Sequence, residues 1–142
     1  AGPYGMVLGQ AKDMQMKNPT KEALLEMYSC KTGELIRVAA ALGCIAANAD
    51  ENALSEYSIA LGKAFQIRDD ILDITGDEKN LGKPINSDER NDKKTYAALL
   101  GIDKATKEVS ALTEKAIKSI EFLEDGAKEL KALAEKLVLR EN

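Results

Sequence analysis

The sequence predicts an all-α fold. Helix-forming residues dominate, no run alternates apolar and polar residues convincingly at the strand period, and apolar positions recur at helical spacing. At 142 residues the chain is long enough for one domain with its own core and too short for two ordinary ones. Residues 1–142 are therefore read as a single helical unit.

Six helical segments are expected. "PYGMVLGQAKDMQM" forms the first, ended by Asn18 and Pro19. Thr20 caps a second, which runs from Lys21 to about Ala47. After the turn "NADEN", a third runs from about Ala53 to Ile74 and stops at Gly76. "GDEKNLGKPINSDERND" follows, dense in Gly, Pro, Asn and Asp; loops of that length without structure of their own are uncommon in compact domains and often functional. A fourth helix holds "TYAALLG". The fifth, capped by Asp103, reaches about Leu123, and "AKELKALAEKLVL" closes the chain.

Composition removes several functions. A net charge of −4 without any Lys/Arg block argues against nucleic acid as a partner. The longest apolar stretch, "VAAALGCIAA" from Val38 to Ala47, is far short of the roughly 20 residues that span a bilayer, and no signal peptide is visible. Cys30 and Cys44 lack metal-ligand spacing and read as reduced core thiols of a cytoplasmic protein. There is no histidine, which excludes Ser-His-Asp and Cys-His catalysis and His-ligated zinc within this chain. Carboxylate, lysine, hydroxyl and metal remain. The opening "AGPYGMVLGQAKDM", already apolar and organised, reads as the later part of something longer.

The stretch "FQIRDDILD" places three carboxylates within five residues. On a helix at about 100° per residue, Ala60, Ala64, Ile67, Ile71 and Ile74 form one apolar stripe. Gln66, Asp69, Asp70 and Asp73 follow the i, i+3, i+4, i+7 pattern on another side. Carboxylates one turn apart, at about 6 Å, repel by roughly 2–3 kcal/mol per pair at an effective dielectric of 20. On a solvated face water screens that repulsion and the cluster means nothing; facing a cleft, it needs a cation. Magnesium suits such a cleft, because it takes hard oxygen ligands, usually one or two carboxylates, and keeps positions for waters and phosphates.

The flanking segments supply what a phosphate needs. Gly82 and Lys83 put a flexible turn beside an ammonium group, and Lys93 follows. Upstream, Lys31, Thr32 and Gly33 sit in mid-helix, where a glycine costs about 1 kcal/mol relative to alanine and often permits close approach of a ligand or a neighbouring backbone. Singly these are ordinary surface lysines and packing glycines. Around an acidic helix they form a pattern.

"GMVLGQAKDM", "KTGELIRVA", "FQIRDDILDITGDEKNLGKP" and "DKKTYAALLG", in this order and spacing, resemble the second half of trans-prenyl (isoprenyl) diphosphate synthases, nearest to the short-chain farnesyl diphosphate synthase or geranyltranstransferase type. The resemblance covers nearly the whole chain, with the last thirty or so residues least diagnostic. It implies the C-terminal half of the isoprenoid synthase helical bundle. It also implies a prenyltransferase that condenses an allylic diphosphate, dimethylallyl or geranyl, with isopentenyl diphosphate, using magnesium or, as a substitute, manganese.

Residue by residue, the resemblance makes Asp69, Asp70 and Asp73 the second aspartate-rich motif, with Asp69 as direct metal ligand and the others completing the site or its water shell. Lys31, Lys83 and Lys93 match lysines that hold the allylic diphosphate. Thr32 and Gln66 match polar residues that steady a developing carbocation, and Gln10, Asp13 and Phe65 match positions lining the cavity. Members of the family are generally homodimers when full-length.

The resemblance also shows what is missing: the family's first aspartate-rich motif and the basic residues before it, which bind isopentenyl diphosphate. A fragment without catalytic activity of its own is the expectation, and such a half-bundle would expose apolar surface. A smaller departure is Asn86, where the family commonly has Gly; Asn tolerates positive φ better than most residues. Class I terpene cyclases also use an aspartate-rich helix, but "NDKKTYAAL" puts Leu99 where their glutamate ligand belongs. The alternative from another class is a non-catalytic helical subunit or interaction module of a heteromeric prenyl synthase.

Overall fold

A computed structural model of the chain describes residues 2–81 and 95–139, with residues 77–81 and 139 described by their backbone alone. Among the described residues every regular element is helical. The elements are α1 (Met6–Gln15), α2 (Lys21–Tyr28), a π-helical turn (Ser29–Gly33), α3 (Glu34–Ala46), α4 (Ser55–Leu81), α5 (Tyr96–Leu100), α6 (Ile102–Ser119), a 3-10 segment (Glu121–Ala127) and α7 (Lys128–Leu139).

Thr20 caps α2 as its position suggests, its side chain accepting from the Ala23 N–H at 3.2 Å. The helix expected from Lys21 to about Ala47 is one continuous path with a change of pitch. At Ser29–Gly33 the hydrogen bonding widens, and the Glu34 N–H donates to the Ser29 carbonyl, five residues back. Helix α4 is the long central element. Its stripe of Ala60, Ala64, Ile67, Ile71 and Ile74 is buried as the periodicity requires. Two apolar clusters share it: Ile67, Ile71 and Ile74 pack with Leu24, Met27, Tyr28, Tyr96 and Val109, while Tyr57, Ala60 and Leu61 pack with Ala116, Ile120 and Ala134. The Tyr57 hydroxyl donates to the Leu130 carbonyl at 2.8 Å, tying α4 to α7.

Three boundaries differ from expectation. Helix α4 passes through Gly76 to Leu81, since one interior glycine costs only about 1 kcal/mol and a long helix absorbs it. Helix α6 begins beside Gly101, at φ 87°, and Asp103 lies in its first turn, where its charge complements the helix dipole. That helix ends at Ser119, because the backbone tightens into the 3-10 segment, with Glu124 at φ 50°. Lys83, Lys93 and the "PINSD" turn lie outside the described residues.

Glycines decide how the layers meet. A Cβ on Gly62 of α4 would lie 2.5 Å from the Gly33 Cα, and one on Gly9 of α1 would lie 2.3 Å from the Lys31 backbone nitrogen. The π turn is thus held between two helices by direct backbone approach, and of the two roles open to Gly33, approach of a ligand or of a neighbouring backbone, the structure shows the second. The expected apolar exposure is present on α1 and α3: Val7, Leu35, Leu42 and Ile45 are each more than half exposed.

Gly62→Ala should therefore destabilise the chain by about 1–3 kcal/mol through overpacking. Gly43→Ala on α3, where a Cβ meets nothing within 4 Å, should stabilise it by about 0.5–1 kcal/mol. Urea unfolding of the two variants checks the opposite signs.

Candidate active site

One cleft of about 300 Å³ gathers side chains from four elements: Asp13 of α1, Met27 and Tyr28 of α2, Lys31 of the π turn, and Gln66, Asp69, Asp70 and Asp73 of α4, closed by Thr95 before α5. The π turn brings Lys31 round to α1, where its Nζ donates to Asp13 Oδ2 at 2.7 Å. Gln66 Nε2 donates to Asp69 Oδ2 at 3.2 Å, one turn along α4. Asp73, at the next turn, is exposed.

Asp70 is held differently. Its Oδ2 accepts from the Tyr28 hydroxyl at 2.6 Å and from the Tyr96 backbone N–H at 3.0 Å. Burial pushes its carboxyl up to about 6, the two hydrogen bonds and Lys31 only partly offsetting that, while Asp73 adds to it. The Tyr28 phenol is pushed up as well, first by burial and then by the Asp70 charge.

The family model described as polyprenyl synthetase matches residues 3–136. The chain belongs to that family. Among curated relatives it is 41% identical over 133 residues to a farnesyl diphosphate synthase of Geobacillus stearothermophilus, covering 89% of this chain and 45% of the relative. It is 45% identical over 106 residues to a geranylgeranyl diphosphate synthase of Saccharolobus solfataricus, covering 70% of this chain and 32% of the relative. Among solved structures, an FPP/GFPP synthase from Zymomonas mobilis superposes with a TM-score of 0.79 at 29% identity, over 96% of this chain and 46% of that one. The chain spans about half the length, or less, of the relatives it matches.

Of the residues singled out in this polyprenyl synthetase chain, Asp13, Lys31, Gln66, Asp69, Asp70 and Asp73 come together in the cleft. Gln10 is exposed on α1, and Thr32 and Phe65 are half-buried; none of the three is among the described side chains lining it. Lys83 and Lys93 lie outside the described residues. Sequence reasoning missed Met27, Tyr28 and Thr95. Tyr28 precedes Lys31 by three residues and so belongs to the same helical face, which is the signal that was available.

Among the described residues no three acidic, cysteine or histidine side chains form a ready-made metal cage. The donor set still fits magnesium, which is held through one or two carboxylates with water and phosphate oxygens completing its octahedron. Asp69 and Asp73, one turn apart and lining the same cleft, are such a pair.

Because the Asp70 pKa is raised from 3.8 to about 6 on folding, the folded chain keeps a proton that the unfolded chain has released. Its contribution to stability is complete below about pH 4 and is lost as pH rises through 6. In metal-free buffer Asp70→Asn should flatten the fall in Tm across that window, measured against the parent chain.

Proposed function

We propose that this chain is the C-terminal half of a magnesium-dependent prenyltransferase, condensing an allylic diphosphate with isopentenyl diphosphate to a short-chain product such as farnesyl diphosphate. The observation that carries the reading is the meeting of paired carboxylates with an ammonium group and an amide in one cleft, within a chain of the polyprenyl synthetase family.

Asp69 would hold the metal directly, and Asp73 would complete the site or its water shell. When bound, the metal neutralises charge on the diphosphate and supports its departure. The Lys31 ammonium is the chain's own described cation in the cleft. An incoming phosphate oxygen competes with Asp13 for it, and on cleavage of the allylic carbon–oxygen bond Lys31 takes part of the leaving charge. Lys83 and Lys93 serve the same anion. The Gln66 amide, steadied by Asp69, offers its oxygen dipole to the allylic cation; the same role for Thr32 rests on the family resemblance alone, since its side chain is not among those lining the cleft. The double bond of isopentenyl diphosphate attacks that cation, and loss of a proton ends the step. The step requires no imidazole, so the absence of histidine from this chain is compatible with it.

The other half of the relatives' length is where the first aspartate-rich motif and the isopentenyl diphosphate site belong. The exposed apolar faces of α1 and α3 support association with such a half, and full-length homodimers are part of the same reading.

Calorimetry with inorganic diphosphate tests the half-site directly. Binding by this chain should require magnesium and weaken about tenfold or more in Asp69→Ala, a loss of at least about 1.4 kcal/mol. Binding unchanged in that variant sinks the metal assignment. The chain alone should show no condensation of geranyl and isopentenyl diphosphates in a radiolabel assay; turnover would refute the need for a second half.

A further inference from the structure

Three elements meet at Asp70. Tyr28 is the last residue of α2, directly before the π turn that carries Lys31, and Tyr96 is the first residue of α5. The Tyr28 hydroxyl and the Tyr96 N–H both donate to Asp70 Oδ2, and the same N–H lies 3.2 Å from the Tyr28 oxygen. We propose that Asp70 is a positioning residue: its carboxylate latches the start of α5 to the end of α2 and thereby sets Lys31 and the approach to Thr95 against the cleft. The proposal rests on the diphosphate-site reading above.

Asp70 bonds across the fold to residues 42 and 26 positions away in sequence. Its partners are both donors held in place by packing, Tyr28 being 3% and Tyr96 1% exposed.

Helix α5 needs such an anchor. Five residues are too few to hold a helix by themselves, and the first amides of any helix lack partners within it. Thr95 satisfies the Ala98 amide at 3.3 Å; Asp70 satisfies that of Tyr96. The other end of Tyr96 is fixed too, its hydroxyl donating to Glu108 Oε2 at 3.0 Å, an oxygen shared with Lys21 Nζ at 2.9 Å. With both ends held, the Tyr96 ring cannot slide without breaking the Asp70 bond.

Asparagine keeps an acceptor oxygen but makes a poor metal ligand, so the two roles part company in Asp70→Asn. In magnesium-dependent diphosphate binding at matched helicity, Asp70→Asn should stay within about threefold of the parent. Asp70→Ala and Tyr28→Phe should each weaken binding about tenfold, the scale of one lost charge-assisted hydrogen bond. Asp70→Asn as defective as Asp69→Ala, with Tyr28→Phe unaffected, would overturn the latch in favour of a ligand. If the parent chain binds no diphosphate, it is the half-site reading that fails. The latch is then read by hydrogen exchange at the Tyr96 amide, which should be protected in parent and Asp70→Asn and exchange about tenfold faster in Asp70→Ala. Equal rates in all three would overturn it.

Discussion

Backbone contact on both sides of the π turn at Ser29–Gly33 is the constraint on which the rest of the structure depends. Gly9 lets α1 reach Lys31, and Gly62 lets α4 reach Gly33, at distances no side chain would allow. Two helices and a turn are thereby brought into register without any side chain intervening. The widened pitch then directs Lys31 toward Asp13 and the acidic face of α4. Without this crossing, Lys31 and Asp69 would belong to separate surfaces.

Among the described residues the cleft is acidic, and its carboxylates are held in different ways. Asp13 is paired with Lys31, Asp69 accepts from Gln66, Asp70 takes two donors across the fold, and Asp73 is exposed. Four carboxylates around one described ammonium group would repel a diphosphate. On the proposed reading a divalent cation bound there would offset two of those negative charges, and an anionic oxygen would then exchange with Asp13 for Lys31. The Lys31–Asp13 pair thus holds the ammonium at the cleft wall in the absence of ligand, at the modest strength of a partly exposed ion pair.

Architecture and partial length bear on each other. The chain spans about half of its relatives, and its central helix α4 carries two apolar clusters. The apolar residues left outside those clusters, Val7 on α1 and Leu35, Leu42 and Ile45 on α3, are unburied in this chain. The cleft and the apolar faces share α1, so what packs on one face bears on the side chains of the other.

Much of this was legible in the sequence because it is governed by local periodicity. The apolar stripe of α4, the placing of Gln66, Asp69, Asp70 and Asp73 on one side, and the Thr20 cap follow from helical geometry over a few residues. The ordered motifs added the family. The tertiary structure alone decided the π turn, the passage of α4 beyond Gly76, the start of α6 at Gly101, and the entry of Met27, Tyr28 and Thr95 into the cleft. It also decided that Asp70, alike in sequence to Asp69, bonds across the fold to Tyr28 and Tyr96. These depend on groups far apart in the chain whose approach no local pattern encodes, since a glycine or a tyrosine gains its meaning only from what packs against it.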